Sequence, residues 1–178
     1  MAPERGGTAA TGSASGGTVR ALYTPAQRAR RDATRWTLVQ GILAPIQFLV
    51  FAVSAVLVLR SLATGTGELA AHVSIIVKTI LLYTIMVTGA IWEKVVFGQY
   101  LFAPAFFWED AVSFVVIALH TIYLGGLLTG RLSTRTLFLV ALAAYSVYVV
   151  NAVQFLLKLR AARLQEAREA QLRAAAAA

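Results

Sequence analysis

The sequence predicts an all-α integral membrane protein of four transmembrane helices with both termini on the cytoplasmic side. Three observations carry that prediction. Apolar residues make up 58% of the 178 positions and charged residues only 13%, with a mean hydropathy of +0.71; a soluble domain holds about 45–50% apolar and about 25% charged residues. The apolar residues gather in four blocks, each close to the roughly 20 residues that cross a hydrocarbon core of about 30 Å. Of the 16 lysines and arginines, twelve flank one set of block ends and only three the other, and the positive-inside bias places the richer set in the cytoplasm.

In chain order, residues 1–21 are glycine, alanine, serine and threonine with little to bury. They read as a disordered extension without the apolar core of a signal peptide. The transmembrane domain follows over 22–164, with spans at about 38–59, 71–92, 111–129 and 136–157. An isolated span must satisfy its own backbone hydrogen bonds, which selects helices, and the alternating ten-residue segments of a β-barrel are absent. Pro45 removes a donor within the first span and predicts a kink there. The connection from Glu93 to Asp110 falls on the cytoplasmic side, and residues 165–178 form a polar, alanine-rich tail.

Composition also excludes functions. Without cysteine there is no disulfide framework, thiolate metal site or iron–sulfur cluster. No phosphate-binding or dinucleotide-binding glycine motif occurs. The net charge of +8 lies beside the apolar blocks rather than in one patch, so it reads as topology and not as nucleic-acid binding.

The polar residues inside or bordering the spans are the functional candidates. Lys78 lies within the second span and reads equally as a snorkelling chain or as the partner of a buried anion. A helical wheel puts it in one stripe with Leu82, Ile85, Gly89 and Trp92, with Glu93 nearby; at Gly89 a flat ligand or a neighbouring helix can come close. Asp110, Ser113, Ile117 and His120 share a face of the third span, with Glu109 about 20° off it at the helical 100° per residue. An acidic end therefore leads to a mid-membrane imidazole. No second histidine or close carboxylate supports a metal held by protein ligands alone. Tyr145, Tyr148, Asn151 and Gln154 line one side of the fourth span, and Gln40 and Gln47 mark the first. Interhelical hydrogen bonds account for such amides, or they edge a cavity. Between the acidic clusters runs Phe97-Gly98-Gln99-Tyr100-Leu101-Phe102-Ala103-Pro104-Ala105-Phe106-Phe107-Trp108. It reads partly as an interfacial belt and partly as the mouth of a pocket for a large planar amphiphile.

At this connection the chain resembles the vinyl bacteriochlorophyllide hydratase family. The resemblance rests on WEKVVFGQYLFAPAFFWED (Trp92–Asp110) with Leu119-His120-Thr121, on LYTPAQRARRDATRWTLVQGILAPIQFLVF (Leu22–Phe51), and on the run from Asn151 to Arg160. It implies a lyase of the bacterial inner or intracytoplasmic photosynthetic membrane. Such an enzyme adds water across the 3-vinyl group (also called the 2-vinyl group) of a chlorophyllide, giving a 3-(1-hydroxyethyl) group in bacteriochlorophyll biosynthesis. The implied partners are the chlorophyllide and the bilayer, with other enzymes of the pathway as candidates for the basic tails; no cofactor is expected.

That chemistry can be set against the residues. Protonating the terminal vinyl carbon needs an acid, and the cation left beside the macrocycle needs water and a nearby negative charge. Glu93, Glu109, Asp110 and His120 are the candidate catalytic residues, with His120 alternatively an axial ligand to the magnesium of the substrate. Trp92, Phe106, Phe107, Trp108, Lys78, Asn151 and Gln154 are the candidate substrate contacts. The competing reading is a non-catalytic chlorophyll-binding or photosystem-assembly protein, with a small transporter or structural subunit behind it.

Overall fold

A computed structural model describes residues 22–177, and the expected disordered extension lies outside them. The described chain is all-helical. It has α1 (Pro25–Ala33), α2 (Arg35–Thr64), α3 (Glu68–Phe97), α4 (Phe107–Thr129) and α5 (Thr134–Ala177). The last four are long and apolar enough to cross a membrane.

The fifth helix, α1, is an addition to the four expected, and local chemistry explains it. Thr24 Oγ1 accepts from the Gln27 amide at 3.2 Å, while Gln27 Oε1 accepts from the Thr24 amide at 2.8 Å. This reciprocal capping box, with Pro25 at the first helical position, starts a helix in a polar sequence. α2 begins on a Thr34 cap and runs on through Pro45, leaving the Gly41 carbonyl without its usual amide partner. Gly65 and Gly67, both at positive φ, then reverse the chain into α3. α5 does not stop where the apolar block ends. It continues through the expected tail to Ala177 as one helix of 44 residues, about 66 Å long.

Sequential hairpins α2–α3 and α4–α5 pack side by side, with α2 against α5 and α3 against α4 closing the bundle. Its surface is inverted relative to a soluble bundle. Leu38, Ile42, Leu49, Val56, Ile80, Val87, Leu139 and Leu156 all face outward, whereas Gln47, Ser54, Lys78, Thr79, Ser113, His120 and Asn151 are buried. Apolar surface of this extent is what a membrane-contacting or partner-contacting face presents.

Interior contacts tie the helices at three levels. At one end His72 Nδ1 meets the Tyr123 hydroxyl at 2.6 Å, beside a core of Val58, Ile75, Leu137, Phe138 and Tyr145. In the middle, Leu82, Val116 and Tyr148 pack together, and Ser54 Oγ is hydrogen-bonded to Tyr145 at 2.6 Å. At the other end Tyr23, Val96, Phe106 and Ala162 form a third core. Gly89 admits a neighbouring helix: an added Cβ would sit 3.7 Å from Gln40 Oε1, whose amide nitrogen donates to Thr88 at 2.7 Å.

Candidate active site

The last turn of α3 and the first turn of α4 converge at the end roofed by α1. They deliver Glu93, Glu109 and Asp110, each only 5% exposed. All three stand just outside the apolar blocks 71–92 and 111–129. The connection 98–106 folds back over them. The Ala103 amide donates to Glu93 Oε2 at 3.1 Å, and the Phe102 amide donates to Asp110 Oδ2 at 2.6 Å. Two consecutive amides can aim at two carboxyls because Phe102 takes a left-handed backbone, φ 57°; it is the one non-glycine residue to do so among the described residues. That conformation costs about 1–2 kcal/mol, and the bond to Asp110 holds it.

The consecutive Phe102 and Ala103 amides hold the Asp110 and Glu93 carboxyls as neighbours. Two buried carboxyls brought this close disfavour the state in which both are ionised. Burial, then the facing Asp110 carboxyl, push Glu93 above the usual carboxylate range, against the opposing pull of the Ala103 amide. Burial raises Asp110 too, against the Phe102 amide.

Glu109 is held differently. Lys158, from α5, places its Nζ 2.5 Å from Glu109 Oε2, donates to the Ala105 carbonyl, and lies 4.8 Å from the centre of the Phe106 ring.

The aromatic run divides into two groups at this site. Trp92, Phe97 and Phe106 pack inward with Tyr23, which stacks on Phe97 at 5.8 Å and touches Phe106 at 6.4 Å. Trp92 Nε1 donates to Thr37 Oγ1 at 2.9 Å. These rings make the roof, and Arg28–Glu169 and Arg31–Glu166 ion pairs at 2.9 and 3.1 Å clasp α1 onto α5 over it. Phe102, Phe107, Trp108 and Phe114 form a second group that opens outward. Phe102 is stacked on Phe114 at 5.4 Å and 8°, and Trp108 is 70% exposed. Of the four aromatic candidates, Phe107 and Trp108 are therefore open to a planar ligand, whereas Trp92 and Phe106 belong to the packing beneath it.

The remaining candidates lie deeper. His120 is fully buried ten residues along α4 from Asp110, about 15 Å by helical rise. Its Nδ1 donates to the Val116 carbonyl at 2.8 Å, leaving Nε2 a buried acceptor without a partner. Lys78 does not snorkel. It is enclosed, with Nζ 3.9 Å from the centre of the Tyr148 ring and, with the Gln47 amide turned to satisfy both of its ends, 3.2 Å from the Gln47 oxygen. Fifteen residues of α3 separate it from Glu93, so it pairs with none of the three carboxyls. Asn151 Nδ2 donates to Ser113 Oγ at 2.7 Å, while Asn151 Oδ1 and Gln154 Oε1 are buried without partners. The structure thus brings Glu93, Glu109, Asp110, Phe107 and Trp108 together and keeps His120 and Lys78 apart from them, while Asn151, bonded to Ser113 one turn along α4 from Asp110, and Gln154, one turn along α5 from Lys158, lie just beneath.

The sequence profile of one family, described as 2-vinyl bacteriochlorophyllide hydratase, matches residues 23–161. The chain belongs to that family. The 2-vinyl bacteriochlorophyllide hydratase of Rhodobacter capsulatus is 70% identical over 150 residues, covering 84% of this chain and 87% of that protein. The protein of the same name from Cereibacter sphaeroides is 72% identical over 145 residues, covering 82% of this chain and 90% of its own. No solved structure matches the chain.

The region matched to the hydratase family takes in every residue of the acidic site and its roof. It also holds residues that reading the sequence did not assign to the site: Lys158, Phe102, Phe114 and Tyr23. Lys158 looked like one of the topology-setting charges, being 49 residues from Glu109. Its flanks, Leu157 and Leu159, were the available signal, since a lysine inside an apolar run needs a partner. Among the described residues no group of histidine, aspartate and glutamate could hold a metal ion.

Proposed function

We propose that this chain hydrates the vinyl group of a chlorophyllide to a 1-hydroxyethyl group in bacteriochlorophyll biosynthesis, using the Glu93–Asp110 pair as its acid. Membership of the hydratase family supports the reaction. The observation that carries the site assignment is a pair of buried carboxyls on consecutive amides, one of them bonded through the Phe102 amide to the base of an open aromatic shelf.

Phe102, Phe107 and Trp108 take one face of the macrocycle and bring the vinyl group to the carboxyl pair. The shared proton passes to the terminal vinyl carbon, forming the new C–H bond as the π bond opens. The adjacent carbon then carries positive charge, delocalised into the macrocycle and stabilised by the carboxylate just formed. Water attacks that carbon, and its surplus proton returns to the pair. Substrate plus one water gives product, and the enzyme is regenerated without any redox step. His120 lies too far from this pair to act as its base through one water. The magnesium carried by the pigment is part of the substrate.

The same reading puts the acidic mouth and both termini in the cytoplasm, with the four spans in the bacterial inner or intracytoplasmic membrane. Positive-inside bias supports that orientation. The end of α5, carrying Arg160, Arg163, Arg168 and Arg173, would then be open to other enzymes of the pathway.

The test is conversion. Membranes containing the chain, given vinyl chlorophyllide, should yield a pigment heavier by one water that membranes without it do not produce. Pigment retained without change would favour the binding-protein reading, with the unpartnered Nε2 of His120 as a candidate ligand to a pigment magnesium.

A further inference from the structure

We infer that Lys158 is a positioning residue: it neutralises the Glu109 carboxylate and so confines the proton of the acidic site to Glu93 and Asp110. Treating that pair as the proton source for hydration rests on the proposed function; the placement of the proton does not.

Three carboxyls, each almost wholly buried, meet at the convergence of α3, α4 and α5. Three uncompensated negative charges in so small a volume are untenable. The charged groups facing the cluster are few. α3 contributes Glu93, α4 contributes Glu109 and Asp110, and α5 contributes Lys158. Lys94 turns away to the Gly98 carbonyl at 2.8 Å. From α1, Arg31 is spent on Asp32, on Glu166 and on the Tyr23 ring at 4.9 Å. One ammonium is therefore what the site has to set against three acids, and a proton held between the two acids it does not reach makes up the balance.

The geometry decides how they are allotted. Lys158 reaches Glu109 and the Ala105 carbonyl, and its ammonium lies over the Phe106 ring. Asp110 and Glu93 each receive one backbone amide and face each other. Without Lys158, Glu109 would compete for the proton and repel the neighbouring pair. The register of α5, set far from the connection, thus governs the acidity of groups on α3 and α4.

Infrared difference spectroscopy across pH on the purified full chain tests this independently of turnover. A protonated-carboxyl band should be present, lost in Asp110→Asn and retained in Glu109→Gln. In Lys158→Met the band should persist to a pH higher by about one unit or more. It should return toward its original position in Lys158→Arg and in the double variant Lys158→Met with Glu109→Gln, where nothing is left to neutralise. In the conversion assay Lys158→Met should lower kcat at least ~10-fold with little change in KM. An unmoved band in a folded Lys158→Met protein, or a double variant that titrates like the single, overturns the inference. A wild type that shows the expected band shifts but converts no pigment would instead overturn the hydration reading alone.

Discussion

Replacing Asp110 by asparagine removes the acid while preserving what the carboxyl supports. The amide oxygen still accepts from Phe102, whose N–H lies 2.6 Å from Asp110 Oδ2, and the amide nitrogen donates to Glu93. Positioned general acids contribute roughly 10²–10⁴ in rate, or about 2.7–5.5 kcal/mol at 1.36 kcal/mol per decade. Turnover should therefore fall at least ~100-fold while pigment binding survives. The thermal midpoint in detergent should move by only a few degrees, since a neutral acceptor replaces a charged one at a cost of about 1 kcal/mol. Asp110→Ala separates the two contributions. It strands the Phe102 amide at about 1–3 kcal/mol and frees a backbone held at φ 57°, so it should lose stability as well as rate. The assay is conversion of vinyl chlorophyllide followed by chromatography and mass, with pigment retention measured on the same membranes. Turnover of Asp110→Asn within threefold of wild type, at normal pigment binding, would remove the pair from the mechanism.

The two aromatic groups should respond differently to truncation. Trp108→Ala should raise KM and leave the melting temperature alone, whereas Phe106→Ala should cost about 3 kcal/mol of stability, read by thermal unfolding in detergent. Lys78→Met replaces a buried ammonium that faces only an amide oxygen and a ring; such exchanges are often neutral or stabilising by about 1–4 kcal/mol, so the melting temperature should hold or rise. The clasp of α1 on α5 should be indifferent to pH near neutrality. The Arg28 hydrogen bond holds Glu169 down to about 2 from its usual 4.5, so its contribution is complete above about 4.5 and lost as pH falls through about 2. Limited proteolysis within α1 should therefore be equal at pH 8 and pH 5 and quicker at high salt, which screens exposed pairs. Because the chain has no cysteine, single-cysteine labelling is clean. With an impermeant maleimide, Gln99→Cys should react from the cytoplasmic side and Thr66→Cys from the other.

What could be read from the sequence, and what could not, follows the range over which each interaction acts. The four long helices were legible because apolar blocks of spanning length are a local property. α1 was legible too, through Thr24-Pro25-Ala26-Gln27, but a polar stretch of arginines hid a helix start that the capping residues announce. The acidic triplet was found because Glu93 and Glu109–Asp110 close two ends of one connection. How its charge is balanced was not legible, because the partner of Glu109, Lys158, arrives from another hairpin. The aromatic run shows the same limit within a few residues. Phe106 and Phe107 are adjacent in sequence, yet helix α4 begins between them and sends one ring into the roof and the other outward.

Lys78 and His120 show the opposite case, where intrinsic chemistry pointed to function and packing drew them elsewhere. Both are ionisable and mid-membrane, so both qualified as candidates. The bundle gives Lys78 the Tyr148 ring of α5 and the Gln47 amide of α2 and gives His120 a backbone carbonyl one turn back, all of them neutral partners. The acidic mouth, in contrast, has charges that balance only when α3, α4 and α5 are all in register. A cluster with that property cannot form from one hairpin, which ties its charge balance to completion of the bundle.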